Sequence, residues 1–218
     1  MTDGVLVVDD HELLAQSLSL ALQAEGFDVA VVAPTGIDAV LAAAREAQPA
    51  VVLLDLELGD AVGSALPLIA PLRAGGALVV IVTGITDRIR LAECLEAGAA
   101  GLLDKSSSFL HLVDAVREVA ELGTLLSPGR RQDLLAELRR QRANRTRRLQ
   151  PFRRLTPREA EVLKALMDGQ QAEAIATTSF VSLATVRSQI RSVLTKLNVN
   201  SQLAAVAMAR REGWPEPP

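Results

Sequence analysis

The chain has 218 residues, which allows one large or two small domains, and hydrophobic residues make up 49% of it, enough for a buried core. No stretch approaches the roughly 18 consecutive apolar residues of a membrane helix, and Asp3 stands where a signal peptide needs a basic flank. We therefore expect a cytoplasmic protein with no membrane partner. A single cysteine, Cys94, excludes an internal disulfide.

The net charge of −3 hides a strong division along the chain. Residues 1–127 contain six basic and 18 acidic residues, a net charge of −12. Residues 128–154 contain ten and two, a net charge of +8, and residues 155–218 contain seven and six, a net charge of +1. An acidic first half followed by a basic segment indicates two different tasks in one chain.

In the first half, short runs rich in β-branched residues alternate with longer stretches of helical period. The predicted strands are residues 4–8, 27–32, 51–54, 78–82 and 100–103. The predicted helices are residues 13–22, 35–47, 63–73, 86–97 and 108–122. Buried strands that alternate with helices predict an α/β fold, in which a doubly wound parallel sheet is covered on both faces.

Polar residues follow four of the predicted strands, at the edge where such sheets bind their ligands. Asp9 and Asp10 follow the first strand, Asp55 the third, Thr83 the fourth and Lys105 the fifth. Three neighbouring carboxylates repel one another, which favours either a shared proton or a bound cation. Mg²⁺ suits such a site because it takes a few carboxylates, water and a phosphate oxygen.

This set of residues supports a specific chemistry. With Mg²⁺ bound, Asp55 can attack a phosphoryl donor and form an acyl phosphate. Lys105 would then balance the added charge, and the Thr83 hydroxyl would bind a phosphate oxygen. Each aspartate alone would also fit a helix N-cap, but N-capping does not explain Thr83 and Lys105.

Residues 4–122 resemble the receiver domain of two-component response regulators. The matching positions are Val7-Val8-Asp9-Asp10-His11, Leu53-Leu54-Asp55-Leu56, Gly63, Thr83 and Gly101-Leu102-Leu103-Asp104-Lys105. The resemblance implies a receiver domain over residues 1–124 with the flavodoxin-like strand order 2-1-3-4-5. It also implies Mg²⁺ bound by Asp9, Asp10 and Asp55, and a sensor histidine kinase as phosphodonor.

Three residues depart from the family pattern. Leu102 stands where the family usually has a Tyr or Phe whose ring turns inward on activation, so only Thr83 of the switch pair is typical. Gly59 replaces a usual proline, and Glu57 adds a carboxylate close to the expected phosphate. That carboxylate would disfavour phosphorylation or change the phosphoryl lifetime. We interpret His11 as a surface residue at a helix start.

Residues 125–152 form a basic linker in which Leu134, Leu135 and Leu138 predict a short helix. The run from Arg139 to Arg148 is nearly all basic or polar, and we interpret the linker as a tether that can approach phosphates. It could equally be a merely solvated segment, or contact the acidic receiver and hold the protein closed.

The sequence of the second half of the chain predicts four short helices. Thr156, Pro157 and Glu159 fit the N-cap, the first position and the capping-box position of the first helix, and Gly169 ends it. The other helices are predicted at residues 171–178, 182–197 and 201–211.

The third of these helices has an apolar stripe made of Val186, Ile190, Val193, Leu194 and Leu197. On the other side, Arg187 and Arg191 lie one turn apart and can pair with guanine edges in a major groove, and Ser188 can reach base or phosphate. Gln189 and Lys196 lie toward the flanks and would contact phosphates. A helical bundle with ordinary surface arginines would show the same period.

Residues 155–207 resemble the LuxR-type helix-turn-helix of NarL/FixJ regulators. The matches are Leu-Thr-Pro-Arg-Glu-Ala-Glu-Val-Leu (155–163), Gly169, Ile175-Ala176, Ser182, Thr185-Val186-Arg187 and Lys196-Leu197-Asn198-Val199. The resemblance implies a DNA-binding domain over residues 153–218, a recognition helix that includes Thr185, and a homodimer on paired half-sites. Ser179 replaces a usual core leucine, with Phe180 or Val181 as candidate replacements, and Gln189 replaces a common histidine.

Together these patterns predict a DNA-binding response regulator, not an enzyme, in which phosphorylation of Asp55 controls dimerisation and promoter binding. RNA polymerase is a further candidate partner. One alternative is an atypical regulator with the same fold and DNA target but controlled by a ligand or protein partner, which Leu102 and Glu57 favour. A second is a phosphatase that uses Asp55 as nucleophile, for which a helix-turn-helix has no use.

Overall fold

The computed structural model describes residues 4–215, so Asp3 and the last three residues lie outside the described part of the chain. The chain folds as two compact units, Met1–Arg139 and Arg140–Pro218. Among residues 4–215 no helix combines the length and the apolar character that a membrane crossing requires.

The first unit contains the predicted five-stranded parallel sheet, in the order β2-β1-β3-β4-β5. Its strands are β1 (Gly4–Val8), β2 (Asp28–Val32), β3 (Val51–Leu54), β4 (Leu78–Thr83) and β5 (Gly101–Asp104). Its helices are α1 (Glu12–Ala24), α2 (Ile37–Ala47), α3 (Gly59–Val62), α4 (Leu66–Ala74), α5 (Arg88–Ala97) and α6 (Phe109–Leu122), followed by the start of α7 (Pro128–Leu149). The predicted fold class and strand order are confirmed.

The helix predicted over residues 63–73 is present as α4, but it begins three residues later, and the short α3 before it was not predicted. The structure has the short α3, a break at Gly63, and then α4. Gly63 has a φ of 70°, a left-handed conformation that interrupts a right-handed helix. Pro67 lies in the first turn of α4, where a missing N–H is tolerated, so the new helix begins just ahead of it.

Successive strand residues face opposite sides of the sheet, and each side has its own apolar cluster. One cluster joins strand residues such as Val7 and Leu53 to α1 and α6. The other joins strand residues such as Leu6 and Leu54 to α2, α4, α5 and the first half of α7. Helices therefore cover both faces of the sheet, while the edge strand β2 stays partly exposed.

Helix α7 is much longer than the short helix predicted around Leu134 and Leu138. Both of these leucines are buried in the apolar cluster of the first unit. The Arg131 guanidinium donates to the carbonyl oxygens of Leu95 and Ala99, at 2.9 and 3.0 Å. The first half of α7 is thus anchored on α5, which explains why a helix with few apolar residues starts here.

The second unit contains the end of α7, a short 3-10 helix (Phe152–Arg154), and α8 (Pro157–Met167), α9 (Ala172–Thr178), α10 (Leu183–Leu197) and α11 (Gln202–Glu212). The capping box predicted for Thr156 and Glu159 is present at the start of α8. Ser182 and Ser201 cap α10 and α11 by accepting from backbone N–H groups. The buried side of α10, which includes Val186 and Val193, forms the centre of this small core.

Candidate functional site

The carboxyl ends of the strands bring the predicted acidic and basic residues of the first unit together. Asp9 follows β1 and Asp55 follows β3, two strands that pair directly, and Lys105 follows β5. The Lys105 ammonium lies 2.7 Å from a carboxylate oxygen of Asp9 and 2.7 Å from one of Asp55. One cation therefore bridges two buried carboxylates, which offsets their mutual repulsion.

Burial and charge act against each other at this bridge. Burial raises the pKa of Asp55, and neighbouring Asp9 raises it further, while Lys105 lowers it without cancelling the effect. Burial alone would lower the pKa of Lys105, but its bonds and charge interactions with Asp55 and Asp9 outweigh this and raise it. Lys105 thus stays protonated, whereas the Asp55 carboxylate is less well stabilised than in water and gains from any further cation.

Asp10 completes the acidic cluster. Asp9, Asp10, Asp55 and His11 each offer one ligand atom, and these atoms lie within 4.8 Å of one another. Carboxylate oxygens are the donors that Mg²⁺ prefers, whereas imidazole suits softer metals. The three carboxylates therefore fit Mg²⁺.

His11 lies at the start of α1, as the sequence suggested, and its side chain is 68% exposed. Its Nδ1 nevertheless lies 2.8 Å from Asp10 Oδ1 and 3.2 Å from Asp9 Oδ1. The imidazole thus contacts the acidic cluster from the solvent side.

Thr83 is buried at the end of β4, and its Oγ1 accepts the backbone N–H of Ile85 at 3.2 Å. A hydroxyl that accepts one bond still has its own proton to donate. Leu102 on β5 is half-buried and packs against the apolar cluster that includes α4 and α5. An aliphatic side chain held in this way cannot perform the ring rotation described for the family.

The two remaining departures from the family pattern lie at the mouth of the cluster. Gly59 has a φ of 64°, which a proline ring cannot adopt, and a Cβ on it would come 3.3 Å from Asp10 Oδ2. Glu57 is exposed and accepts a hydrogen bond from Arg90 of α5 at 2.7 Å. The added carboxylate is therefore paired with a cation that no sequence motif singled out, because the two residues lie 33 positions apart.

In the second unit, α10 presents a polar face to solvent. Thr185, Arg187, Ser188 and Arg191 are exposed, and Gln189 is half-buried. Only a 3.3 Å contact with Glu173 engages the Arg187 guanidinium within the part of the chain that the structure describes. A weak, exposed pair of this kind yields readily to a competing anion.

Lys196 is held more firmly. Its ammonium lies 2.6 Å from Glu159, a buried residue of α8 that also accepts from Ser192. Burial alone would raise the pKa of Glu159, but the hydrogen bonds from Lys196, Ser192 and Thr156 outweigh it and lower the pKa to about 2. The capping-box motif revealed Glu159 as a helix cap, but not as the partner of α10.

Phe180 does not replace the core leucine lost at Ser179. Its side chain is 95% exposed and its φ is 54°, which points the residue out of the turn between α9 and α10. The apolar interior of this turn is instead supplied by Ile175 and Ala176, both buried. The suggestion that Phe180 compensates is wrong.

Comparison with known proteins identifies a family for each of the two units. A model of the response regulator receiver domain matches residues 5–117, and a model described as bacterial regulatory proteins, luxR family, matches residues 153–209. A nitrate/nitrite response regulator protein homolog of Haemophilus influenzae is 30% identical over 94% of each chain. The transcriptional regulatory protein DesR of Bacillus subtilis is 29% identical over 97% of this chain and 98% of its own.

A solved CheY-like receiver domain from Methanospirillum hungatei covers 56% of this chain and 95% of its own, with 23% identity and a TM-score of 0.51, and supports the fold of the first unit. The receiver match lies in the unit that carries the carboxylate cluster, and the luxR match lies in the unit that carries the polar face of α10. The chain belongs to the two-component response regulators of the NarL/FixJ type, DNA-binding transcription regulators that join a receiver domain to a LuxR-type helix-turn-helix.

Proposed function

We propose that Asp55 is the phosphoacceptor of this receiver, that Asp9, Asp10 and Asp55 hold Mg²⁺, and that a sensor histidine kinase supplies the phosphoryl group. The observation that carries the proposal is the Lys105 ammonium, which lies 2.7 Å from both Asp9 and Asp55. A lysine so placed is of little use to a helix cap, but it can balance the charge of an acyl phosphate.

Each residue has a defined part in the transfer. An Asp55 oxygen attacks the phosphorus, the bond from phosphorus to the donor's imidazole nitrogen breaks, and its electron pair stays on the imidazole. Lys105 leaves the Asp55 carboxylate for an oxygen of the new phosphoryl group and keeps its contact with Asp9. The Thr83 hydroxyl donates its free proton to a second oxygen. Mg²⁺, when bound, supplies neutralisation of the transferring oxygens.

We further propose that the protein acts in the cytoplasm as a homodimer on paired half-sites of promoter DNA. The exposed side of α10 supplies Arg187, Ser188, Arg191 and Thr185 to the major groove. Gln189 and Lys196 flank this face and contact phosphates, Lys196 in competition with Glu159. RNA polymerase is the partner through which such binding would change transcription.

Intact mass measured after incubation with Mg²⁺ and acetyl phosphate tests the acceptor, with Asp55→Asn as control. We expect one phosphoryl group on the wild type and none on the variant. Repeating the reaction without Mg²⁺ should abolish the gain in mass. A folded wild type that gains no mass, or a D55N variant that gains as much, would overturn the assignment.

A second candidate keeps the DNA-binding function but replaces phosphorylation by a ligand or protein partner. The half-buried Leu102 favours it, since the aromatic part of the switch is absent. Glu57 also places an extra carboxylate near the acceptor, and Arg90 balances its charge. DNA affinity measured with and without acetyl phosphate separates the two. Phosphorylation that leaves DNA affinity unchanged would favour this second candidate.

A further inference from the structure

The second half of α7 is a strongly basic helix that buries none of its side chains before Leu149. Every residue from Arg139 to Arg148 is exposed. Residues 140–148 contain five arginines and no acidic residue. Because these turns cover no core, packing does not explain why they are basic.

The end of α7 is fixed to the core that also holds α10. Leu149 is 3% exposed and packs in one cluster with Phe152, Val193 and Leu197, the last two from α10. The Arg148 Nε lies 3.8 Å from a carboxylate oxygen of Glu212 at the end of α11. The basic turns are therefore anchored at one end to the unit that carries the helix that we propose reads DNA.

The arginines and the anchor lie on opposite sides of α7. At 3.6 residues per turn, Arg140 and Arg147 are about 20° apart around the helix, and Leu149 is about 180° from Arg140. Along the axis the two arginines are separated by roughly 10 Å. The structure shows no hydrogen bond or ion pair to either guanidinium from residues 4–215. Two cations thus project away from the core on one side of the helix.

Charge identifies the kind of partner. The unit Arg140–Pro218 contains 14 basic and six acidic residues, a net charge of +8, and seven of the basic residues lie before Leu155. Duplex DNA carries one negative charge per roughly 1.7 Å of its axis, and the guanidinium fork suits phosphate oxygens better than an ammonium does.

We infer that residues 140–148 of α7 form a second DNA contact, in which Arg140 and Arg147 bind backbone phosphates beside the sequence that α10 reads. The inference rests on the proposed DNA-binding function and adds to it a contact that carries affinity but no sequence information. Because Lys196 of α10 is paired with Glu159, α10 supplies only part of the phosphate binding. The arginines of α7 would supply the rest.

The test compares full-length wild type with Arg140→Gln/Arg147→Gln in DNA binding across a series of NaCl concentrations. Two probes are used: a 40-base-pair duplex that the wild type enriches from a random-sequence pool, and a scrambled duplex of the same composition. Arg45→Gln/Arg130→Gln is the matched control, because it removes two exposed arginines of the first unit. Glutamine is a good helix former, so helix content and the unfolding midpoint should not change.

Each phosphate contact contributes about 0.9 to the slope of log affinity against log salt, so the double variant should lower the slope by about 1.8 per bound protomer. At 0.15 M salt this corresponds to roughly a 30-fold loss of affinity per bound protomer. The loss should be equal on the two duplexes, the control should match wild type, and Arg140→Lys/Arg147→Lys should retain the wild-type slope.

An unchanged slope, or an equal loss in the control, would overturn the inference while leaving the proposed function intact. A loss confined to the enriched duplex would mean that the arginines read bases, and tighter binding by the variant would mean that they restrain the protein; either result contradicts the inference. A wild type that binds neither duplex would remove the proposed DNA-binding function as well.

Discussion

Replacing Glu159 by glutamine should destabilise the DNA-binding unit without touching its exposed face. The carboxylate caps α8 through Thr156, accepts from Ser192 and pairs with Lys196, so a single charge joins the start of α8 to the second half of α10. Burial raises its pKa, but the three donors outweigh it, and the pKa lies at about 2 against an ordinary 4.5. A neutral amide keeps the shape but loses the charge-assisted bonds.

The size of the effect follows from the pKa. Each pKa unit is equivalent to about 1.36 kcal/mol, so lowering the pKa of Glu159 from 4.5 to about 2 corresponds to about 3.4 kcal/mol of stabilisation at pH 7. The Lys196 side chain is 31% exposed, so solvent screens part of the interaction. We therefore expect E159Q to lower the free energy of unfolding by about 2–3 kcal/mol.

The pH dependence has a definite sign. A carboxyl group whose pKa is lowered by folding stabilises the protein above its unfolded pKa, and that stabilisation is lost as the pH falls toward the folded value. The stabilisation that Glu159 contributes is thus lost as the pH falls from 4.5 to about 2. The difference between wild type and E159Q should narrow by about 1 kcal/mol between pH 7 and pH 3.5.

The only tryptophan makes the measurement specific to this unit. Trp214 stacks on Phe152, with ring centroids 5.4 Å apart, so its fluorescence in urea reports the unfolding of the second unit alone. Glu161→Gln is the matched control on the same helix, because the Glu161–Arg158 pair is exposed and its loss should cost less than about 1 kcal/mol. Equal stability of E159Q and E161Q at pH 7, or a difference that does not vary with pH, would refute the reasoning.

Three further predictions concern the receiver. R90Q leaves Glu57 unpaired near the acceptor and should slow phosphorylation by acetyl phosphate a few-fold. E57Q should speed phosphorylation, and the double variant should react at nearly the wild-type rate. The rates are measured as the gain in intact mass with time. L138A should destabilise the receiver by about 2–5 kcal/mol in denaturation followed by circular dichroism, and L135A by less, because only Leu138 is fully buried. G59P should cost more than about 1 kcal/mol in the same assay, and equal stability would show that this turn does not need its left-handed glycine.

Local sequence was sufficient to predict the sheet because β1, β3 and β4 are buried apolar runs with polar residues at their carboxyl ends. The strand bounds differ from the predicted ones by one residue at most. Residue order also placed Asp9, Asp55 and Lys105 at one edge, since parallel strands share their carboxyl ends. Helix breaks were harder to predict: Gly63 takes a left-handed φ that local composition does not reveal.

Contacts between distant segments had no local signal at all. Arg90 and Glu57 pair across 33 positions, and Lys196 and Glu159 across 37. The length of α7 was also missed, because Leu138 is its last large apolar residue before Leu149 and the basic run between these two residues has no helical period of apolar side chains. Tertiary anchors at both ends, rather than amphipathic patterning, explain why the helix continues.

Charge balance in the receiver cluster connects phosphorylation to the metal. Asp9, Asp10 and Asp55 oppose one lysine, so the cluster carries a net charge of −2 with all three carboxylates ionised. Phosphorylation replaces the single charge of Asp55 with about −2, which brings the sum to about −3. A divalent cation would bring the phosphorylated cluster to about −1 and the resting cluster to about 0, so without the cation the phosphorylated cluster carries the larger uncompensated charge. Because Lys105 is already shared between two carboxylates, it cannot absorb the added charge alone, and the phosphorylated state should therefore depend on Mg²⁺ more strongly than the fold does.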